Sequence, residues 1–151
     1  MLNIGDRAPE FSLTDDEGRE QTLRGLLAKG PLVLYFYPAD FTAVCTREAC
    51  MFRDFNVRLA ESGVQVVGVS PQDAESHRRF KAAHELNFPL LADVQKAVVR
   101  AYDVDGPFGV GVRRVSYLIE TDGRIADLVK ADIRLGPHEA FLERVAKNVQ
   151  R

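Results

Sequence analysis

The chain has 151 residues, 46% of them apolar and 28% charged, with a formal net charge of −2 at neutral pH. That length and composition suit one compact domain, expected to span residues 1–151, and the near-neutral charge balance excludes a nucleic-acid footprint. No apolar run nears the roughly 20 residues that cross a bilayer, and the start Met1-Leu-Asn-Ile-Gly-Asp-Arg7 has neither the basic opening nor the apolar core of a signal peptide, so the chain reads as soluble and cytoplasmic.

In chain order, Phe11–Thr14 and Arg19–Thr22 flank Asp15-Asp-Glu-Gly18 and predict a short N-terminal hairpin. Leu32-Val-Leu-Tyr-Phe-Tyr37, entered through Gly30-Pro31, is the most apolar run. Its consecutive apolar positions predict a strand covered on both faces. Cys45 to about Ser62 predicts a helix, with Met51, Phe55, Arg58 and Leu59 near a helical repeat and Gly63 as its stop. Val64–Val69 predicts a second buried strand. Ser70-Pro71 then breaks the chain, and Asp73 caps a helix to about Leu86. Phe88–Leu91 is extended, and Asp93 caps a helix to about Tyr102. Val112–Glu120 and Ile125–Ala131 flank Thr121-Asp-Gly-Arg124, a strong hairpin signal. Pro137 opens a last helix with an apolar stripe of Phe141, Val145 and Val149. This order predicts an α/β protein with a central mixed β-sheet flanked by helices. It is the thioredoxin-like architecture with an N-terminal β-hairpin and an inserted helix.

Cys45 and Cys50 are the only two cysteines. A buried strand that ends in a Pro-containing loop and then opens a helix puts Cys45 at the helix N-terminus. There backbone N–H groups and the helix dipole favour a thiolate. In a reducing cytosol such a pair is catalytic or metal-binding rather than a staple. If both cysteines share one regular helix, their Cα atoms lie roughly 8.7 Å apart, beyond the ~7 Å a disulfide spans. A disulfide between them therefore requires the first turns to unwind. One alternative is a pair of buried small hydrophobes, against which stand the polar neighbours Thr42, Thr46, Arg47 and Glu48. Another is a zinc site, but His77, His84 and His138 lie far from the cysteines in sequence and read as ordinary surface or helix residues. A thioredoxin-type oxidoreductase would favour C-x-x-C, not the C-x₄-C found here.

Pro38-x-x-x-Thr42-x-x-Cys45 resembles the active-site signature of the peroxiredoxins, thiol peroxidases on a thioredoxin fold. Gly5-Asp-Arg-Ala-Pro-Glu-Phe11, Glu48, Arg114-Val-Ser-Tyr-Leu-Ile119 and Asp122-Gly123 agree with family positions, so the resemblance spans nearly the whole chain. Cys45-Thr-Arg-Glu-Ala-Cys50 is similar to the Q-type, bacterioferritin comigratory protein-like subfamily. Ala43-Val44 stands where that subfamily commonly has Pro-Gly.

The resemblance implies a peroxidase that reduces hydrogen peroxide and organic hydroperoxides. In it Cys45 is the peroxidatic thiolate, and Cys50 resolves the sulfenic acid as an intramolecular disulfide that thioredoxin or a glutaredoxin reduces. Arg114 supplies the cation beside the sulfur, and Glu48 orients Arg114. Thr42 orients the peroxide, and Pro38 shields the sulfur from water. Arg113 points to the opposite face of its strand from Arg114. Phe108 and Val110 hint at a greasy entrance. The resemblance implies no cofactor, no metal, no nucleic acid and no membrane, and a monomer or weak homodimer. The competing reading is a redox-sensing or holdase-like binding protein that uses the same cysteine switch without turnover.

Overall fold

The computed structural model describes residues 2–149, with the backbone alone at Val149. Seven strands form one sheet in the order β2-β1-β5-β4-β3-β6-β7. They are β1 Ser12–Asp15, β2 Glu20–Thr22, β3 Leu32–Phe36, β4 Gln65–Ser70, β5 Leu90–Ala92, β6 Val115–Ile119 and β7 Ile125–Lys130. The three central strands β5, β4 and β3 run parallel, and the flanking strands pair antiparallel to them. The helices are α1 Leu23–Leu27, α2 Ala43–Glu61, α3 Ala74–His84, α4 Ala97–Ala101 and α5 Gly136–Val149.

β3 explains why the sheet has two cores. Leu32, Leu34 and Phe36 face one side, where they pack with Leu23 and Leu26 of α1 and Val98 and Val99 of α4. Val33, Tyr35 and Tyr37 face the other, with Ala49 and Phe52 of α2, Phe80 of α3 and Phe141 and Val145 of α5. A strand covered on both sides has no polar face, hence the unbroken apolar run. Tyr35 lies in register with Gly68 of β4 and stacks on Phe52 at 4.1 Å between ring centroids. A Cβ on Gly68 would come within 3.0 Å of the Tyr35 ring, so the missing side chain makes room for it.

Several expectations are corrected. The sequence pattern does not predict α1, which is one short turn capped by the Thr22 hydroxyl, too brief for a periodic signal. α2 starts two residues earlier than expected, with Thr42 as N-cap. Its buried stripe is Cys45, Glu48, Ala49, Phe52 and Leu59, while Met51 and Phe55 only border the core and Arg58 is exposed. The stripe is rotated from the expected one because a glutamate, ordinarily a surface residue, occupies a core position. Asp93 does not cap α4; Lys96 holds the N-cap position, and the Asp93 carboxylate accepts the Val99 N–H instead. β6 begins at Val115 rather than Val112, which bridges to Asp105 outside the ladder. His77 and His138, expected to be ordinary surface or helix residues, are fully buried. The side chain of Val149, expected in the α5 stripe, lies outside the described residues. Among the described residues no helix is long and apolar enough to cross a membrane.

Candidate active site

Topology brings the predicted residues to one end of the sheet. β3 ends at Phe36, and the chain turns through Pro38 and Thr42 into α2. β6 runs antiparallel to β3 with Val115 opposite Phe36, so Arg114 arrives at that same end. Val115 faces the α1/α4 core, so strand alternation turns Arg114 and Ser116 toward α2 and α5.

Cys45 is the third residue of α2 and is 1% exposed. Arg114 donates from both Nη1 and Nη2 to its sulfur at 3.4 Å. The same Nη1 donates to Glu48 Oε1 at 2.6 Å, in a buried ion pair. Burial alone would lower the guanidinium's pKa, but Glu48 and Cys45 outweigh it and raise it. The sulfur thus faces a permanent cation and the N-terminal end of a helix, both of which favour an anion.

Arg114 is held from behind. Its Nε donates to the Asp132 carbonyl at 3.0 Å and its backbone N–H to Asp132 Oδ1 at 3.1 Å. Arg113 turns away and donates to the Asp132 carboxylate at 3.0 Å in a more exposed pair. Burial tends to raise the Asp132 pKa, but Arg113 and the Arg114 N–H hold it below its ordinary value. Asp132 is a participant the sequence did not announce; it belongs to no motif and meets the arginines only through the β6–β7 hairpin.

Thr42 caps α2 by position only. Its hydroxyl donates to the Ala39 carbonyl at 3.0 Å and makes no capping bond. With that proton committed, the exposed Oγ offers lone pairs to a hydrogen-bond donor such as a peroxide O–H. Pro38 is half-buried, and its carbonyl accepts from Ser70 and Gln72 at 3.4 Å. Asp40, to which no sequence motif assigns a role, ties the loop to α3. Its carboxylate accepts from the Tyr37 and Ser76 hydroxyls, each at 2.7 Å, and lies 2.7 Å from His77 Nδ1. Burial opposes the charge, but the His77 bond and charge outweigh it and depress the Asp40 pKa.

Cys50 is partly exposed, and neither cysteine is disulfide-bonded. It lines a cavity of about 460 Å³ with Arg47, Met51 and Phe55 of α2 and Glu139 of α5. Both cysteines sit in one unbroken helix, Cys45 facing the core and Cys50 the cavity. Phe108 and Val110 are strongly exposed on the turn Pro107–Gly109 and its flank. Among the described residues no three His, Cys, Asp or Glu side chains gather to hold a metal ion. What the arrangement offers is sulfur chemistry.

Residues 4–128 match the model of the AhpC/TSA family. The chain belongs to that family. It is a peroxiredoxin, an enzyme that uses a thiol to reduce peroxides. It is 40% identical to peroxiredoxin Bcp of Bacillus subtilis over 130 residues, 82% of each chain. In three dimensions it is similar to peroxidoxin BcpB of Mycobacterium tuberculosis, with a TM-score of 0.91 and 31% identity over the whole of both chains. The bacterioferritin comigratory protein of Xanthomonas campestris superposes with a TM-score of 0.84 at 29% identity over 92% of each chain. The thioredoxin-like fold expected from the element order is thus the fold observed, and the family expected from the Pro38–Cys45 motif is the family found.

Proposed function

We propose that Cys45 is the peroxidatic sulfur of this peroxiredoxin and Cys50 its resolving partner. One observation carries the assignment: a buried guanidinium aims two N–H groups at a cysteine sulfur seated in the first turn of a helix. The Cys45 thiolate attacks the terminal oxygen of a hydroperoxide, the O–O bond breaks, and the sulfur becomes a sulfenic acid. Negative charge develops on the departing oxygen, which leaves as an alcohol or water after taking a proton. The Arg114 donors face that charge, and Thr42 accepts from the incoming peroxide. The Cys50 thiol then displaces water from the sulfenic acid and forms the disulfide. A dithiol reductant opens it through a mixed disulfide. Thioredoxin fits that role, with a glutaredoxin as the other candidate.

Substrates are hydrogen peroxide and organic hydroperoxides; alkyl peroxide reduction is the activity ascribed to the similar Xanthomonas campestris protein. The free thiol pair suits a reducing cytoplasm, with the protein acting as a monomer or weak homodimer.

The test is peroxide consumption coupled to a thioredoxin system. The wild type turns over many times. Cys45→Ser abolishes turnover, and Cys50→Ser reacts once and stalls. Full activity in Cys45→Ser would overturn the assignment, as would stoichiometric oxidation of the wild type without turnover.

A further inference from the structure

β3 and β4 pair in parallel as far as the Tyr37 N–H, which donates to the Val69 carbonyl at 3.1 Å. Beyond it Pro38 has no N–H to offer, and β4 ends at Ser70. One half-buried side chain, Gln72, continues the pairing. The Asp40 backbone N–H meets the Gln72 amide at 3.0 Å, and a backbone N–H can only donate, so the atom it meets is Oε1. Gln72 Nε2 then faces the Pro38 carbonyl at 3.4 Å. The buried Ser70 hydroxyl lies against the same Oε1 and fills its second acceptor position.

The Asp40 N–H shares its peptide plane with the Ala39 carbonyl. Among the described residues no peptide bond is cis, so the two groups point opposite ways across one rigid unit. On the far side the Ala39 carbonyl accepts the Thr42 hydroxyl proton at 3.0 Å. Gln72 Oε1, the Ala39–Asp40 peptide and Thr42 Oγ thus form a single chain of hydrogen bonds. Phe41 closes this turn at φ +65°, a left-handed backbone that a bulky residue ordinarily avoids. Such a conformation persists only where its surroundings over-determine it. Here the preceding peptide is gripped on both edges, and the Phe41 ring rests edge-on against Phe80 of α3, 5.2 Å between centroids.

We propose that Gln72 is a positioning residue of the peroxidase: by holding the Ala39–Asp40 peptide it fixes where the Thr42 hydroxyl sends its proton, and so aims the Thr42 lone pairs at the incoming hydroperoxide. This rests on the reading of Thr42 as the acceptor that orients the peroxide. The carboxylate contacts of Asp40 hold that residue in place, but they leave the peptide plane before it free to turn. The Gln72 amide opposes that turn. Without it the Thr42 hydroxyl loses a fixed acceptor, and accepting from the peroxide becomes one orientation among several. Each bond in the chain also polarises the next, so the Gln72 bond makes Thr42 Oγ the better acceptor.

The test compares two reagents for one sulfur. In a Cys50→Ser background, quenched-flow mass spectrometry gives the rate constants of Cys45 oxidation by hydrogen peroxide and of Cys45 alkylation by iodoacetamide. Oxidation uses the Thr42 acceptor, whereas alkylation needs only the thiolate. Thr42→Val removes the hydroxyl without removing a capping bond, since Thr42 makes none. It should slow oxidation about 10²-fold, the size of losing one preorganised polar contact to the reacting group. Gln72→Leu should slow oxidation about tenfold and leave alkylation unchanged. The double variant should be no slower than Thr42→Val alone, because Gln72 acts through that hydroxyl. Gln72→Met should match Gln72→Leu, and decides the matter if the branched side chain disturbs the fold. A role in packing alone would shift both reagents together and would add to the Thr42 effect. Wild-type oxidation rates in the Gln72 variants, a parallel change in alkylation, or additive losses in the double variant would overturn the inference and leave Thr42 in its role. A Thr42→Val protein oxidised as fast as the wild type would remove that role itself, and the inference with it.

Discussion

At the scale of single residues, the site depends on one cation placed between two anionic positions. Arg114→Lys keeps a charge but loses the planar fork that reaches Cys45 and Glu48 at once. Peroxidase kcat/KM is expected to fall about 10²–10³-fold, the cost of removing a donor aimed at developing charge. Glu48 also makes a prediction about stability. Its carboxyl moves from an ordinary 4.5 to about 7 on folding. A carboxyl raised by folding contributes stability that is complete below about 4.5 and is lost as pH rises through about 7. In a Cys45→Ser background, which removes the sulfur's titration, the protein should therefore lose about 3 kcal/mol more between pH 4.5 and pH 8 than the same protein carrying Glu48→Gln. Denaturant melts at the two pH values measure this, and an equal loss in both would refute it. Cys45, Thr42, Glu48 and Arg114 were legible because they lie in short local patterns. Asp132 and His138 were not, since each reaches the site through tertiary packing, and Ser116 lay within the Arg114–Ile119 pattern with no role assigned to it. His138 in particular carries no sequence mark that separates a buried imidazole from a surface one.

At the scale of elements, the proposed Cys45–Cys50 disulfide makes α2 both a scaffold and a moving part. Its polar first turn was readable, and so was the consequence that Cys45 and Cys50 lie too far apart to bridge within it. The phase of its buried stripe was not readable, because Glu48 occupies a core position that only the Arg114 pair makes tolerable. The loop before α2 is anchored on its other side by the Asp40–His77 pair, both members of which are buried. His77 Nε2 lies 3.0 Å from the Leu91 carbonyl, so the anchor joins the loop, α3 and β5. Breaking one partner of a buried pair costs roughly 3–5 kcal/mol. Asp40→Ala should destabilise the fold by about that amount and slow Cys45 oxidation by loosening Pro38–Thr42. A double-mutant cycle with His77→Ala should recover part of the loss. A cycle that shows simple additivity would mean the two residues do not act as a pair.

At the scale of the whole molecule, reduced and oxidised states place opposite demands on one core. The layered order of strands and helices was legible in the sequence, since alternation and helical periodicity are local signals. That Cys45 and Ala49 belong to the core shared by α2, α3 and α5 was not, so neither was the consequence that melting the start of α2 disturbs that entire face of the sheet. Joining Cys45 to Cys50 closes a loop of about six residues, which stabilises by roughly 2 kcal/mol on the chain-entropy model. Against this stands the separation of Glu48 from Arg114 when the first turns unwind, a buried pair whose rupture costs roughly 3–5 kcal/mol, together with the exposure of Cys45 and Ala49. The loss exceeds the gain. The disulfide form should therefore melt about 5 °C or more below the dithiol form, and amide exchange should quicken from Thr46 to about Phe52 while the strands of the sheet stay protected. Paired thermal melts and exchange measurements on the two redox forms test both statements. An oxidised protein that melts higher than the reduced one, with α2 still protected, would mean that the helix does not open to let the sulfurs meet.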